Sequence, residues 1–187
     1  MIEYKLAKKC VLGMVMLVAA ACNSTDNKTE GKADTLSSAA ADTSARTGVE
    51  FEKPVEQQIY ADYTTLKNAL VASKKEEAAK AAGALSSSLR NREGCENTAL
   101  VAERIAAAKD LAAQRKDFTA VSTDLIALFK HAPLKKGEVF VQHCPMANNG
   151  EGGDWLASER KVLNPYYGDE MLECGAVVEE IKAGKSL

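Results

Sequence analysis

The chain has 187 residues, 24 Lys+Arg against 26 Asp+Glu, and a net charge near −2. That length gives one sizeable domain plus extensions, and a slightly acidic chain with 5% aromatic residues lacks the basic stripe and aromatic–basic interleaving of a nucleic-acid binder. Gly-x-Ser-x-Gly, phosphate-loop and His-Glu-x-x-His patterns are all absent from the sequence, which argues against the commonest hydrolase and nucleotide chemistries. The expectation is a protein that is not an enzyme.

Lys5, Lys8 and Lys9 precede the apolar run Val11–Ala21, which ends "VAAAC" at Cys22. A basic flank and an apolar run too short for a permanent span read as a signal peptide over residues 1–21. Small residues directly before a cysteine resemble the bacterial lipoprotein cleavage motif, although Ala19 stands where leucine is usual. Cys22 is therefore the expected lipidation site, holding the protein to a membrane through its acyl chains. The expected location is the cell envelope, facing the periplasm or the cell surface. Losing residues 1–21 removes three lysines and one glutamate, so the net charge becomes about −4.

Residues 22–50 are small and polar, with almost nothing large and apolar to bury, so they read as a disordered tether. The domain proper is expected over 51–187. Pro54 suits a first helical turn, and Ile59, Tyr63, Leu66 and Leu70 form one apolar helical face. Ser73 and Glu76 have the spacing of a capping box for a second, alanine-rich helix, in which Gly83 suggests a close helix–helix approach. "NREGC" at 91–95 breaks the pattern, and Cys95 in it reads as a solvent-facing thiol. From Thr98 to about His131 no breaker intervenes, so one long helix with a bend near Arg115–Lys116, or a helix spanning both of the others, is expected. Pro133 ends it. The fold class that follows is mainly α, an antiparallel helical bundle with a small irregular or β C-terminal unit.

That last unit carries the chemistry. Val139, Phe140 and Val141 favour a strand; "NNGEGG" is a loop, and "NPYYGD" a turn. "DWLASERKVL" and "MLECGAVVEEI" fit either a strand or a short helix. Cys144 and Met146 share a face in an extended chain, with His143 pointing away; Met171 and Cys174 share a face in a helical turn. Together they make a four-sulfur site for a soft metal, Cu(I) first and Ag(I) or Zn(II) after it, with His143 as a reserve ligand. The competing reading is a Cys144–Cys174 disulfide in an oxidising compartment, with both methionines filling gaps. Trp155, Tyr166 and Tyr167 read as core packing over the same region. Residue types alone leave metal site and disulfide both open.

"YADYTTLKNALVAS", "AAKAAGAL", "QRKDFTAVSTDLIAL" and then "CPM", "WL", "NPYYG" and "M-x-x-CG", in that order, resemble an uncharacterised bacterial domain. That domain is found alone in envelope lipoproteins, or fused to periplasmic adaptor subunits of copper/silver-type heavy-metal efflux pumps. The resemblance spans roughly residues 55–182. It implies a helical bundle with a small appended unit, a link to heavy-metal handling, and an efflux complex as partner. It marks Cys144, Met146, Met171 and Cys174 as the positions to test. The chain has no hairpin, lipoyl or barrel segment of the fused form, so the resemblance implies a separate binding or delivery protein.

Overall fold

The computed structural model describes residues 48–184, all within one compact unit. The expected signal peptide, Cys22 and the expected tether up to residue 47 lie outside the described residues. Four helices come first: α1 (Pro54–Val71), α2 (Lys75–Leu89), α3 (Glu96–Ala107) and α4 (Leu111–Lys130). Each packs on the next in sequence, and connections of three to six residues turn the chain back each time, giving the expected up-and-down bundle. Pro54 opens α1, where its missing N–H costs nothing. Ile59, Tyr60, Tyr63, Leu66 and Leu70 are fully buried along one side of α1, where the Tyr60 ring lies edge-on to Phe129 and the Tyr63 ring stacks on Phe118 of α4.

Three local expectations are corrected. Ser73 is not a helix cap: it sits in the left-handed region at φ 55, and Lys74 takes the cap position without a side-chain bond. The Ser73 hydroxyl instead accepts from Arg115 Nη2 at 3.0 Å. The long helix is two helices. Asp110 caps α4 by accepting from the Ala113 N–H at 2.8 Å, which satisfies one of the donors a helix start leaves open, so the break falls at 108–110 rather than at 115–116. A Cβ placed on Gly83 would meet nothing within 4 Å, so that glycine marks no close approach.

Val49 is buried and the two-residue strand β1 (Glu50–Phe51) pairs with β2 (Leu134–Lys136), so residues 49 and 50 of the tether as read from the sequence join the folded unit. The C-terminal unit is a three-stranded antiparallel sheet of β3 (Glu138–Cys144), β4 (Gly153–Ala157) and β5 (Ala176–Lys182), in the order β4-β3-β5. The sheet leans on α4 through β4. Tyr63 marks the junction. Its hydroxyl accepts from the Leu156 N–H at 3.0 Å and shares a 2.7 Å bond with Ser122 Oγ, joining α1, α4 and β4. The fold is thus mainly α with a small C-terminal β unit.

Among the described residues no helix is long and apolar enough to cross a membrane.

Candidate functional site

β3 runs with both faces covered for most of its length, and its last residue, Cys144, is wholly buried. Cys144 stands opposite Gly153 of β4. No side chain could fit at Gly153, because a Cβ there would come within 2.7 Å of the Tyr166 ring. Tyr166 lies edge-on to Trp155, their centroids 6.0 Å apart. Trp155 is fully buried, Tyr166 nearly so, and the core role read from the sequence fits both.

Cys174 arrives from the other side. After β4 the chain loops through "NPYYG", makes a single 3₁₀ turn at Gly168–Glu170, and turns again so that the Cys174 N–H donates to Met171 O at 3.1 Å. Gly175 follows at φ 142, where a Cβ would strike His143 O at 2.6 Å and Trp155 Cη2 at 3.0 Å. This tight passage brings Cys174 Sγ to 3.2 Å from Cys144 Sγ. Both thiols are free. The separation is longer than a disulfide bond of about 2.05 Å. Cys174 is partly exposed where Cys144 is not. Hydrogen bonding to Cys144 first, and desolvation second, hold the Cys174 thiol above its usual pKa.

The other expected ligands are placed differently. His143 alternates to the opposite face of β3, as anticipated, and its Nδ1 lies 2.8 Å from Asp154 Oδ1 at the sheet surface. Met146 and Met171 are exposed, 52% and 36% respectively, on the two loops that flank the thiols. Met146 is fixed through its backbone, its carbonyl accepting from Tyr167 Oη at 2.6 Å. Among the described residues no three His, Cys, Asp or Glu side chains are grouped to hold a metal ion. Cys95 is buried at the start of α3, which corrects its reading as a solvent-facing thiol; burial raises its pKa.

Two contributors escaped the sequence reading. Arg115 donates through Nε to Pro165 O at 3.0 Å and through Nη2 to Leu70 O at 3.2 Å, clamping the "NPYYG" turn to the end of α1. Asn164 is wholly buried and donates through Nδ2 to Cys174 O at 2.9 Å. An Asn before Pro signals a turn, and an Arg on a helix signals a solvated face; neither pattern announces a buried hub. An open groove of about 840 Å³ lies beside these loops, lined in part by Arg115, Lys116, Tyr166 and Tyr167. Glu151 and Glu170 balance its two cations, so charge selects no ligand there.

Residues 59–137, less than half of the chain, match the family model DUF3347, described as a protein of unknown function. The match is consistent with an uncharacterised domain. The DUF3347 match runs from within α1 through β2 and ends before β3, so Cys144 and Cys174 lie outside it. No curated protein and no solved structure matches the chain.

Proposed function

We propose that the chain is a lipid-anchored envelope protein whose Cys144–Cys174 pair takes up a soft metal ion, Cu(I) above others, and buffers it or delivers it to an efflux partner. The observation that carries this reading is the 3.2 Å contact between the two free thiols. Thiolates are soft donors suited to Cu(I), and carboxylate oxygen, the donor of harder ions, is not grouped with them. Metal–thiolate bonds of about 2.3 Å put two sulfurs about 3.8 Å apart in a tetrahedral shell, and about 4.6 Å apart when two thiolates hold the ion in line. The pair therefore has to open by about half an ångström or more, a movement that partly exposed Cys174 can make on its loop. Met146 and Met171 sit on the adjoining loops as thioether donors for an ion entering or leaving. His143, engaged with Asp154, stands aside. Anchoring at Cys22 and a pump as partner rest on the "VAAAC" motif and on the family resemblance.

The second reading has its own support. Cys144 is fully buried and Cys174 needs to approach by only about one ångström to form a disulfide, which would staple the turn to β3 in a non-catalytic structural or interaction module.

Anaerobic titration of the reduced protein with Cu(I) against a chromophoric chelator separates the two. Metal uptake predicts one Cu(I) per chain and a loss of about 100-fold or more in affinity for Cys144→Ser or Cys174→Ser. Retention of full affinity with both cysteines replaced contradicts it. A protein that binds no copper, yet loses stability on reduction, is the structural module.

A further inference from the structure

The "NPYYG" segment is unexplained by a metal-binding pair alone. Its Asn164 is entirely buried, yet every polar group on it is engaged. Its N–H donates to Leu172 O at 2.8 Å, and its carbonyl accepts from the Gly168 N–H at 3.0 Å. Side-chain Oδ1 accepts from the Tyr166 N–H at 2.8 Å, while Nδ2 donates to Cys174 O at 2.9 Å. One residue thus closes both ends of the 164–174 loop. The start of the loop has further anchors: Arg115 on Pro165 O, and Tyr166 Oη donating to Asp154 O at 2.8 Å. At the far end, Cys174 is held by its own short turn and by the Asn164 amide.

We propose that Asn164 is a positioning residue that sets how closely Cys174 is presented to Cys144, and so sets both the soft-metal affinity and the dithiol–disulfide equilibrium of the pair. This rests on the reading of the pair as the working site. Asn164 touches neither sulfur and acts through the Cys174 backbone. A buried amide with all of its bonds made is rigid, and outer groups that orient ligands typically change metal affinity 10- to 100-fold when lost. Losing the Nδ2 donor frees Cys174 to sample positions away from Cys144, which weakens any bond that needs both sulfurs at once.

The test uses Asn164→Asp, which keeps the acceptor for the Tyr166 N–H but sets a carboxylate oxygen against the Cys174 carbonyl. The purified reduced protein is equilibrated with glutathione buffers. In that exchange the Sγ–Sγ bond forms as one glutathione disulfide is reduced to two glutathione thiols, which carry off the two protons. Thr98→Ala, which removes the 2.7 Å bond that Thr98 Oγ1 of α3 donates to Asp124 Oδ2 of α4, serves as a control of lowered stability. Asn164→Asp is expected to shift the exchange constant about tenfold toward the dithiol, about 30 mV, and to weaken Cu(I) binding about tenfold. Thr98→Ala should leave both within about twofold of the parent, a spread of about 0.4 kcal/mol. The proposal is overturned if Asn164→Asp matches the parent in the glutathione exchange, or if Thr98→Ala shifts it equally. A parent protein that binds no Cu(I) removes the metal reading, while the glutathione exchange still decides the role of Asn164. If Asn164→Asp fails to fold, Asn164→Ser is read by the same criteria, its hydroxyl too short to reach the Cys174 carbonyl.

Discussion

Lys67 of α1, fully buried, places Nζ 2.6 Å from Glu159 Oε1 in the segment just after β4. The pair joins the bundle to the sheet unit at a second point beside Tyr63. Its two members differ in exposure, and that decides how they respond to substitution. Glu159 is 36% exposed and can rehydrate if its partner is lost, whereas Lys67 cannot. Removing one partner of a buried pair costs about 3–5 kcal/mol; with Glu159 at the surface, Glu159→Gln should cost nearer 2 kcal/mol. Lys67→Met should cost under about 1 kcal/mol. Denaturant unfolding of both variants checks the order, and a larger loss for Lys67→Met refutes the argument.

Oxidation of the thiol pair closes a loop of about 30 residues, which the chain-entropy description values at about 3–4 kcal/mol. The melting temperature of oxidised protein should exceed that of reduced protein by roughly 10 °C. Calorimetry with and without a reductant measures it. An unchanged melting point, with the bond shown by thiol counting, would mean that the closed pair is strained.

Burial pushes the phenols of Tyr60, Tyr63 and Tyr166 well above the ordinary tyrosine range. A pKa raised by folding favours the protonated folded form. The contribution of these residues to stability is therefore complete below about pH 10 and is lost as pH rises above it. Tyrosinate absorbance should stay low for these three tyrosines and then rise together with loss of helical signal. Smooth titration of all three in folded protein would show the burial to be wrong.

Two glycines should respond oppositely to alanine. At Gly83, inside α2, a Cβ meets nothing within 4 Å, so Gly83→Ala should stabilise by about 0.5–1 kcal/mol through helix propensity. At Gly175, φ 142 and the nearby His143 carbonyl leave no room. Gly175→Ala should cost about 1–3 kcal/mol and part the two thiols. Thermal melts and the glutathione exchange read both.

Binding of a metal by thiols releases their protons, so affinity rises with pH. Because the Cys174 thiol is held above its usual value, its share of that rise, about tenfold per pH unit, should continue past the pKa near 8.5 of a free thiol. Cu(I) competition titrations across that range would reveal it. A plateau below pH 8 would contradict a raised Cys174 thiol among the ligands.

The helical half was legible because apolar residues recur at three- and four-residue spacing on both α1 and α4. The break at Asp110 was missed because the pattern of large apolar residues runs on either side of it without a proline or glycine; the one signal was an Asp three residues ahead of Ala113. Cys144 and Cys174 were legible as a pair only as residue types. Their contact depends on Gly153 and Gly175 leaving room, and on Asn164 turning a loop inward, which are relations between segments distant in sequence. Met146 and Met171 share spacing with the cysteines, yet strand and turn carry them outward, since spacing alone does not fix which side of a loop faces water.

X-ray absorption at the copper edge of Cu(I)-loaded protein shows whether the two thiolates hold the metal together. The expected shell is of sulfur alone, unchanged by His143→Ala and lost with Cys144→Ser. A shell of nitrogen or oxygen donors, or a spectrum unaffected by replacing both cysteines, would contradict it.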